Sequence, residues 1–155
     1  MRKPGLWTLL LAFLVASVQA GASDRWLDKR HADKLYAHVD VVDCPLTTEE
    51  LTGQVHEMLI RSRIKPLTKW DSGDIVLYLR VDCVATSDGG WLFRVTTKLA
   101  ELRESRGDVI IAYREQDDFS LYGKGTEATL RRNIMQTAED AFSKYLKANF
   151  DLEPE

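Results

Sequence analysis

The residues best suited to acid–base chemistry near neutral pH are the three histidines, His31, His38 and His56. Nucleophilic catalysis needs a Ser, Thr or Cys beside such a base, and no Gly-x-Ser-x-Gly turn presents one in this sequence. The two cysteines are better explained as partners of each other than as nucleophiles. The sequence therefore predicts no catalytic residue, and a non-enzymatic binding protein is favoured over the alternative of a small hydrolase.

Two of the histidines have an acidic residue two positions along the chain, His31 with Asp33 and His38 with Asp40. On a β-strand this spacing puts both side chains on one face, where they would supply two metal ligands. A dedicated metal site takes three or four ligands, so surface ion pairs are the favoured interpretation. No metal site is predicted, and a protein that binds a metal or a small ligand stays as an alternative.

The segment Gly123-Lys124-Gly125-Thr126 precedes a predicted helix and has the composition of an anion-binding loop. Backbone N–H groups at a helix start attract a negative group, and Lys124 would assist them. The P-loop pattern is not met, because no glycine lies five residues before Gly123 and Gly125 follows the lysine directly, where the pattern has Ser or Thr. A glycine turn followed by an N-cap residue is favoured, an anion site is the alternative, and no cofactor is predicted.

The N-terminus has the three parts of a cleavable secretory signal peptide. Arg2-Lys3 precedes an almost uninterrupted apolar run over 6–18, and Val18-Gln19-Ala20 fits a signal-peptidase site. The run of about 13 residues is shorter than the roughly 20 that a membrane-spanning helix needs. The sequence predicts a signal peptide at 1–20, cleavage near Ala20, and a periplasmic or secreted protein with no transmembrane segment after cleavage. An uncleaved membrane anchor is the alternative.

Removal of the signal peptide leaves an acidic chain. Arg2 and Lys3 leave with it, so 19 Lys and Arg remain against 24 Asp and Glu, a net charge of −5. Such a chain lacks the positive surface that attracts nucleic acids or anionic lipids, and no nucleic-acid partner is predicted. A mature length of about 135 residues fits one domain with its own core. The predicted parts are a charged lead-in at 21–34, a single domain at 35–150 and an acidic tail at 151–155.

Hydrophobic periodicity predicts the element order β-α-β-β-β-α. The alternating segments that predict strands are 35–44, 75–84, 91–99 and 109–113. Thr47 and Thr126 are the predicted N-caps of the two helices, and a polar stretch with a short apolar segment at 119–122 leads to the second helix. A right-handed crossover lays the first two strands parallel, and hairpins join the others antiparallel. The predicted fold class is α+β, a four-stranded mixed sheet with two helices packed on one face.

Cys44 and Cys83 end the first and second predicted strands. Parallel neighbouring strands bring their carboxyl ends to the same edge of the sheet, where two cysteines lie within bridging distance. An even cysteine count in an exported protein favours a disulfide. The alternatives are two free buried thiols or half of a metal site.

The side of the sheet away from the helices is the main candidate for binding. Its predicted residues are His38, Asp40, Tyr78, Arg80, Asp82, Arg94, Thr96, Lys98 and Arg114. Charges of both signs are typical of a solvated face with cross-strand ion pairs, which is the favoured interpretation. The alternative is a recognition face for a protein partner or a polar ligand.

From the first helix onward the chain resembles an uncharacterised family of small exported bacterial proteins. The resemblance is carried by Leu51, Val55, Leu59 and Ile64 of the helix, by the strand Ile75-Val-Leu-Tyr-Leu-Arg-Val, and by Phe142-Ser-Lys-Tyr-Leu-Lys-Ala-Asn149. It implies a bacterial periplasmic setting and carries over no active site. The element order is also similar to that of accessory domains of envelope-assembly proteins. Together these observations predict an exported accessory domain that binds an envelope protein partner through the open sheet face or an edge strand.

Overall fold

The computed structural model of the chain describes Leu27 and residues 32–150, without the side chains of 109 and 113–117. The predicted signal peptide, the tail at 151–155 and the lead-in apart from Leu27 and 32–34 lie outside the described residues. The elements are β1 (Lys34–Val42), α1 (Thr48–Arg61), β2 (Lys65–Leu67), β3 (Ile75–Ala85), β4 (Trp91–Ser105), β5 (Asp108–Gly125) and α2 (Glu127–Phe150). The predicted α+β class is confirmed.

The strands form one mixed sheet in the order β2-β1-β3-β4-β5. β1 and β3 are parallel, with Tyr36 opposite Val76 and Val42 opposite Asp82. Helix α1 makes the crossover that a parallel pair requires, whereas short turns join β3 to β4 and β4 to β5 as antiparallel pairs. The predicted arrangement of parallel and antiparallel neighbours is therefore confirmed.

The sheet has five strands rather than the predicted four, and the additional strand is β2. Helix α1 ends at Arg61, and Arg63 has a positive φ of 62° at the turn that leads into β2. Lys65–Leu67 then pairs in parallel with the start of β1. The prediction treated Pro66 only as the limit of a helix, although an edge strand tolerates a proline.

The predicted short strand at 109–113 is wrong in extent, because β5 continues for 18 residues to Gly125. Its two halves both pair with β4, from Ser105 opposite Asp108 and again from Lys98 opposite Asp118, with a register shift between Lys98 and Ala100. The polar residues that interrupt the alternation lie at this irregularity, which bends a strand without ending it. Gly123 to Gly125 are accordingly the end of a strand and not a loop.

The hydrophobic core lies between one face of the sheet and the two helices. Leu77, Leu79 and Val95 of the sheet are fully buried there, and α1 packs on β1 while α2 packs on β4 and β5. Helix α1 begins as predicted, because the Thr47 hydroxyl accepts a hydrogen bond from the Glu50 N–H at 3.2 Å. The buried stripe of α2 consists of Leu130, Ile134, Thr137, Ala138, Ala141, Phe142 and Tyr145. The predicted packing of both helices on one face of the sheet is confirmed.

A disulfide joins Cys44, just beyond β1, to Cys83 in β3, with their Cα atoms 4.9 Å apart. The bridge spans a sequence separation of 39 residues that contains the whole of α1 and β2. It therefore links the C-terminal ends of the two parallel strands β1 and β3.

Tyr145 anchors α2 to the chain that enters β1. Its side chain is fully buried, and its hydroxyl proton is shared between the carbonyl oxygens of Ala32 at 2.9 Å and Lys34 at 3.1 Å. Burial, with smaller contributions from the charges of Asp33 and Asp74, raises the pKa of Tyr145 to about 12. The folded state therefore favours the neutral, protonated form of the Tyr145 phenol.

Tyr145→Phe is expected to lower the free energy of unfolding by about 1–2 kcal/mol, because two partly buried carbonyls lose their donor. The folded-state pKa of about 12 lies above the ordinary value of 10.0, so the parental protein loses stability as pH rises from 10 toward 12. Urea denaturation across this range should show a shallower fall for the Phe variant. Tyr36→Phe is the control, and an equal fall for both variants would contradict the assignment.

Candidate functional site

The sheet face opposite the helices, called the open face here, presents alternate side chains of four neighbouring strands. They are His38 and Asp40 of β1, Tyr78, Arg80 and Asp82 of β3, Arg94, Thr96 and Lys98 of β4, and Asp118, Ser120 and Tyr122 of β5. The strand register brings the predicted residues from three different parts of the chain onto this one surface. The Arg114 side chain is not among those described.

Arg80 lies at the centre of the open face between two acidic residues. Its guanidinium is 2.9 Å from Asp82 and 3.2 Å from Asp40, and it binds both oxygens of Asp82. The hydrogen bond to Asp82, together with one to Tyr78 and the negative charges, raises the pKa of Arg80 further above its usual range. The charges of Arg80, Asp40 and Asp82 are therefore paired with one another within the chain.

A second ion pair joins β4 to β5. Lys98 lies 3.1 Å from Asp118, and Asp118 also accepts a hydrogen bond from the Ser120 hydroxyl. Burial favours the neutral form of Asp118, but the bonds from Ser120 and Lys98 outweigh it and lower the pKa of Asp118. The central part of the open face is thus a network of paired charges, as the favoured interpretation of the sequence predicts.

His38 and Tyr78 occupy neighbouring strands and stack, with ring centroids 5.6 Å apart and planes inclined by 9°. Asp40 beside His38 is held by Arg80. Among the residues that the structure describes, no three His, Cys, Asp or Glu side chains are grouped so that they could hold a metal ion. His31, of the other histidine–aspartate pair, lies outside those residues.

Arg94 differs from Arg80 and Lys98, the two described cations nearest to it at the centre of the open face. Its guanidinium lies over the Tyr122 ring, 5.5 Å from the centroid. Its cross-strand neighbour Asp82 is engaged by Arg80, and no described carboxylate lies within 4.0 Å of Arg94. Arg94 lines both a cavity of about 320 Å³ over the charged centre and one of about 300 Å³ beside it. The Arg94 side chain is therefore a cation that borders both cavities.

The second cavity opens onto an apolar patch that sequence reasoning missed. Its exposed members are Val84, Leu92 and Tyr122, which keep 66%, 49% and 71% of their surface accessible. Val84 and Leu92 face each other across β3 and β4, next to Arg94. The signal was present in the sequence, because both residues are apolar side chains in the polar register of their strands.

The opposite end of the open face is covered. Val76, Ala100 and Leu102 are buried on this side, with Tyr36 and Trp70 packed against them. The loop containing Trp70 is held by hydrogen bonds from Gly73 N–H to Leu102 O and from Leu102 N–H to Asp74 O. Among the side chains that the structure describes, those at the centre and in the apolar patch of the open face are therefore available to another molecule.

The segment 123–126, for which an anion site was the alternative interpretation, has a different environment. Lys124 at the end of β5 lies 2.7 Å from Asp88, in the turn between β3 and β4. The bond from Lys124, followed by that from Thr86, lowers the pKa of Asp88. Thr126 caps α2 by accepting from the Thr129 N–H at 3.4 Å, as the favoured interpretation predicts. The Lys124 ammonium is thus already paired with a carboxylate.

No helix within the described part of the chain has the length and apolar character needed to cross a membrane. No protein-family model matches the chain. No curated protein matches it either.

The solved structures that are similar to this chain include two lipoproteins. One is a minor lipoprotein from Acinetobacter baumannii, 14% identical, covering 76% of this chain and 90% of that chain, with a TM-score of 0.36. The other is the rare lipoprotein B from Shewanella oneidensis, 12% identical, covering 73% of this chain and 89% of that chain, with a TM-score of 0.26. At these TM-scores neither likeness bears on what the present chain does.

Proposed function

We propose that the chain is an exported, non-enzymatic binding module that recognises a protein partner of the cell envelope through its open face. The observation that carries this proposal is Arg94, a cation with no described carboxylate within 4.0 Å, placed beside exposed Val84, Leu92 and Tyr122. An exposed aromatic side chain together with an arginine is typical of the residues that contribute most to protein interfaces.

The rest of the open face supports the same function by its rigidity. Arg80 is held by Asp40 of β1 and by Asp82 of its own strand, and Lys98 is held by Asp118 of β5, so the surface around Arg94 is ordered before a partner binds. A preorganised surface loses less conformational entropy on association. The matching partner is a segment with an acidic residue next to an apolar one. The acidic side chain would pair with Arg94, and the apolar side chain would pack on the apolar patch.

The cellular setting of the proposal comes from the sequence. The basic start, apolar run and Ala20 of the N-terminus predict export, and a disulfide between Cys44 and Cys83 is compatible with an oxidising compartment. An acidic chain of this kind is suited to protein recognition and not to binding phosphate backbones.

Arg94→Glu is expected to abolish recovery of the partner when the tagged protein is purified from the cell envelope, because the charge that attracts the acidic segment is reversed. For the purified partner, the dissociation constant should rise at least about tenfold, since truncating one side of an interfacial charge pair costs about 2 kcal/mol or more. Tyr122→Ala should weaken binding in the same direction by removing the most exposed side chain of the apolar patch.

Arg132→Glu is the matched control, since Arg132 is an exposed arginine of α2 and does not belong to the open face. Partner recovery should be unchanged in this variant and should fall at high salt for the parental protein. Equal recovery by the Arg94 and Arg132 variants would reject the open face as the binding surface.

A further inference from the structure

The two edges of the sheet are not equivalent. β2 is three residues long and contains Pro66, two features that protect an edge from pairing with another chain. β5 at the other edge runs without proline from Asp118 to Gly125, all paired with β4 on its inner side. Within the described residues no strand pairs with its outer side. This segment therefore presents a row of backbone donors and acceptors to a further strand.

The segment is complementary to itself in one antiparallel register. Pairing about Leu121 sets Asp118 opposite Lys124 of a second copy, Ser120 opposite Tyr122, and Leu121 opposite Leu121. Both charged residues lie on the open face of the strand, and opposite charges that face each other directly stabilise a strand pair. A shift of two residues in either direction loses both charge pairs, so the charges select this register.

Both charged groups can reach a second chain. Asp118 and Lys124 have intrachain partners, Lys98 and Asp88, but their side chains keep 30% and 54% of their surface accessible. A carboxylate has four lone-pair positions and an ammonium three protons, so each group can bind a second partner without losing the first. Tyr122, with 71% of its surface accessible, would lie beside Ser120 of the second copy in this register.

We propose that the chain forms a two-fold symmetric dimer in which the segments 118–125 of two copies pair antiparallel about Leu121. The contact is isologous, so the charge pair between Asp118 and Lys124 occurs twice. The two sheets become one continuous sheet, and the two open faces lie side by side. This arrangement does not depend on the proposed envelope partner.

The test uses charge reversal in the mature, disulfide-bonded protein, followed by sedimentation velocity and native mass spectrometry. The parental protein should be dimeric at micromolar concentration. Lys124→Asp places two acids opposite each other, Asp118→Lys places two lysines opposite each other, and each variant alone should be monomeric. Mixing the two variants should restore a dimer that contains one copy of each, because both contacts are then attractive.

Lys69→Asp, an exposed lysine in the loop before β3, is the matched control and should leave the dimer intact. A monomeric parental protein would overturn the proposal, as would two variants that remain homodimers or a mixture that stays monomeric. If a reversed variant does not fold, Lys124→Ala and Asp118→Asn should each weaken the dimer at least about tenfold. Arg94→Glu should leave the dimer unchanged, which separates this test from that of the proposed function.

Discussion

Replacing Cys44 and Cys83 together by serine is expected to lower the free energy of unfolding by about 4 kcal/mol and the melting temperature by roughly 10–20 °C. The bridge closes a sequence separation of 39 residues, so the unfolded chain gains a large conformational freedom when the bridge is absent. Cys83 is also a buried core residue, with 5% of its surface accessible, and a serine hydroxyl there lacks the apolar contacts of the sulfur.

Urea denaturation of the parental protein and the double variant measures this difference, with and without a reducing agent. The reductant should destabilise the parental protein to about the same extent and should leave the double variant unchanged. A double variant that matches the oxidised parental protein in stability would show that the bridge does not stabilise the fold. The effect would also make the domain dependent on the oxidising compartment that its N-terminus predicts.

The parts of the fold that could be predicted are those encoded by local periodicity. Leu77 and Leu79 alternate with Tyr78 and Arg80, which fixes the two faces of β3 because successive side chains of a strand point to opposite sides. The disulfide followed from the same pattern, since the crossover makes β1 and β3 parallel and brings Cys44 near Cys83.

The parts that could not be predicted depend on contacts between distant segments. β2 has three residues and becomes a strand only because β1 lies beside it, since a segment this short has no periodicity of its own. The length of β5 was hidden by the polar residues at its irregularity, which are typical of a loop when the sequence is taken alone.

On the open face, too, local features could be predicted and contacts between distant segments could not. Its residue types were predictable, but their partners were not, because the register decides that Arg80 meets Asp40 and Asp82 while Arg94 meets Tyr122. The covering of Leu102 by Trp70 also depends on a loop whose path no local pattern indicates. The surface left over after this pairing and covering is the part of the open face that we propose binds a partner.

Gly123 shows how one residue can be assigned to a loop from sequence and have a packing role in the structure. A glycine beside a lysine and another glycine indicates a turn, but Gly123 lies in β5 directly opposite Phe93 of β4. A Cβ atom added at Gly123 would lie 2.5 Å from the Phe93 ring, which is buried with 4% of its surface accessible. The glycine therefore provides the space that the aromatic ring occupies over the strand.

Gly123→Ala is expected to lower the free energy of unfolding by about 1–3 kcal/mol, because the buried ring must move away from the new methyl group. In a Phe93→Leu background the same change should be neutral or stabilising by up to about 1 kcal/mol, since alanine loses less backbone entropy than glycine on folding. Gly53→Ala is the control, because a Cβ atom there meets nothing within 4 Å and alanine favours the helix. Equal destabilisation by Gly123→Ala in both backgrounds, measured by urea denaturation, would show that the ring contact is not the reason for the glycine.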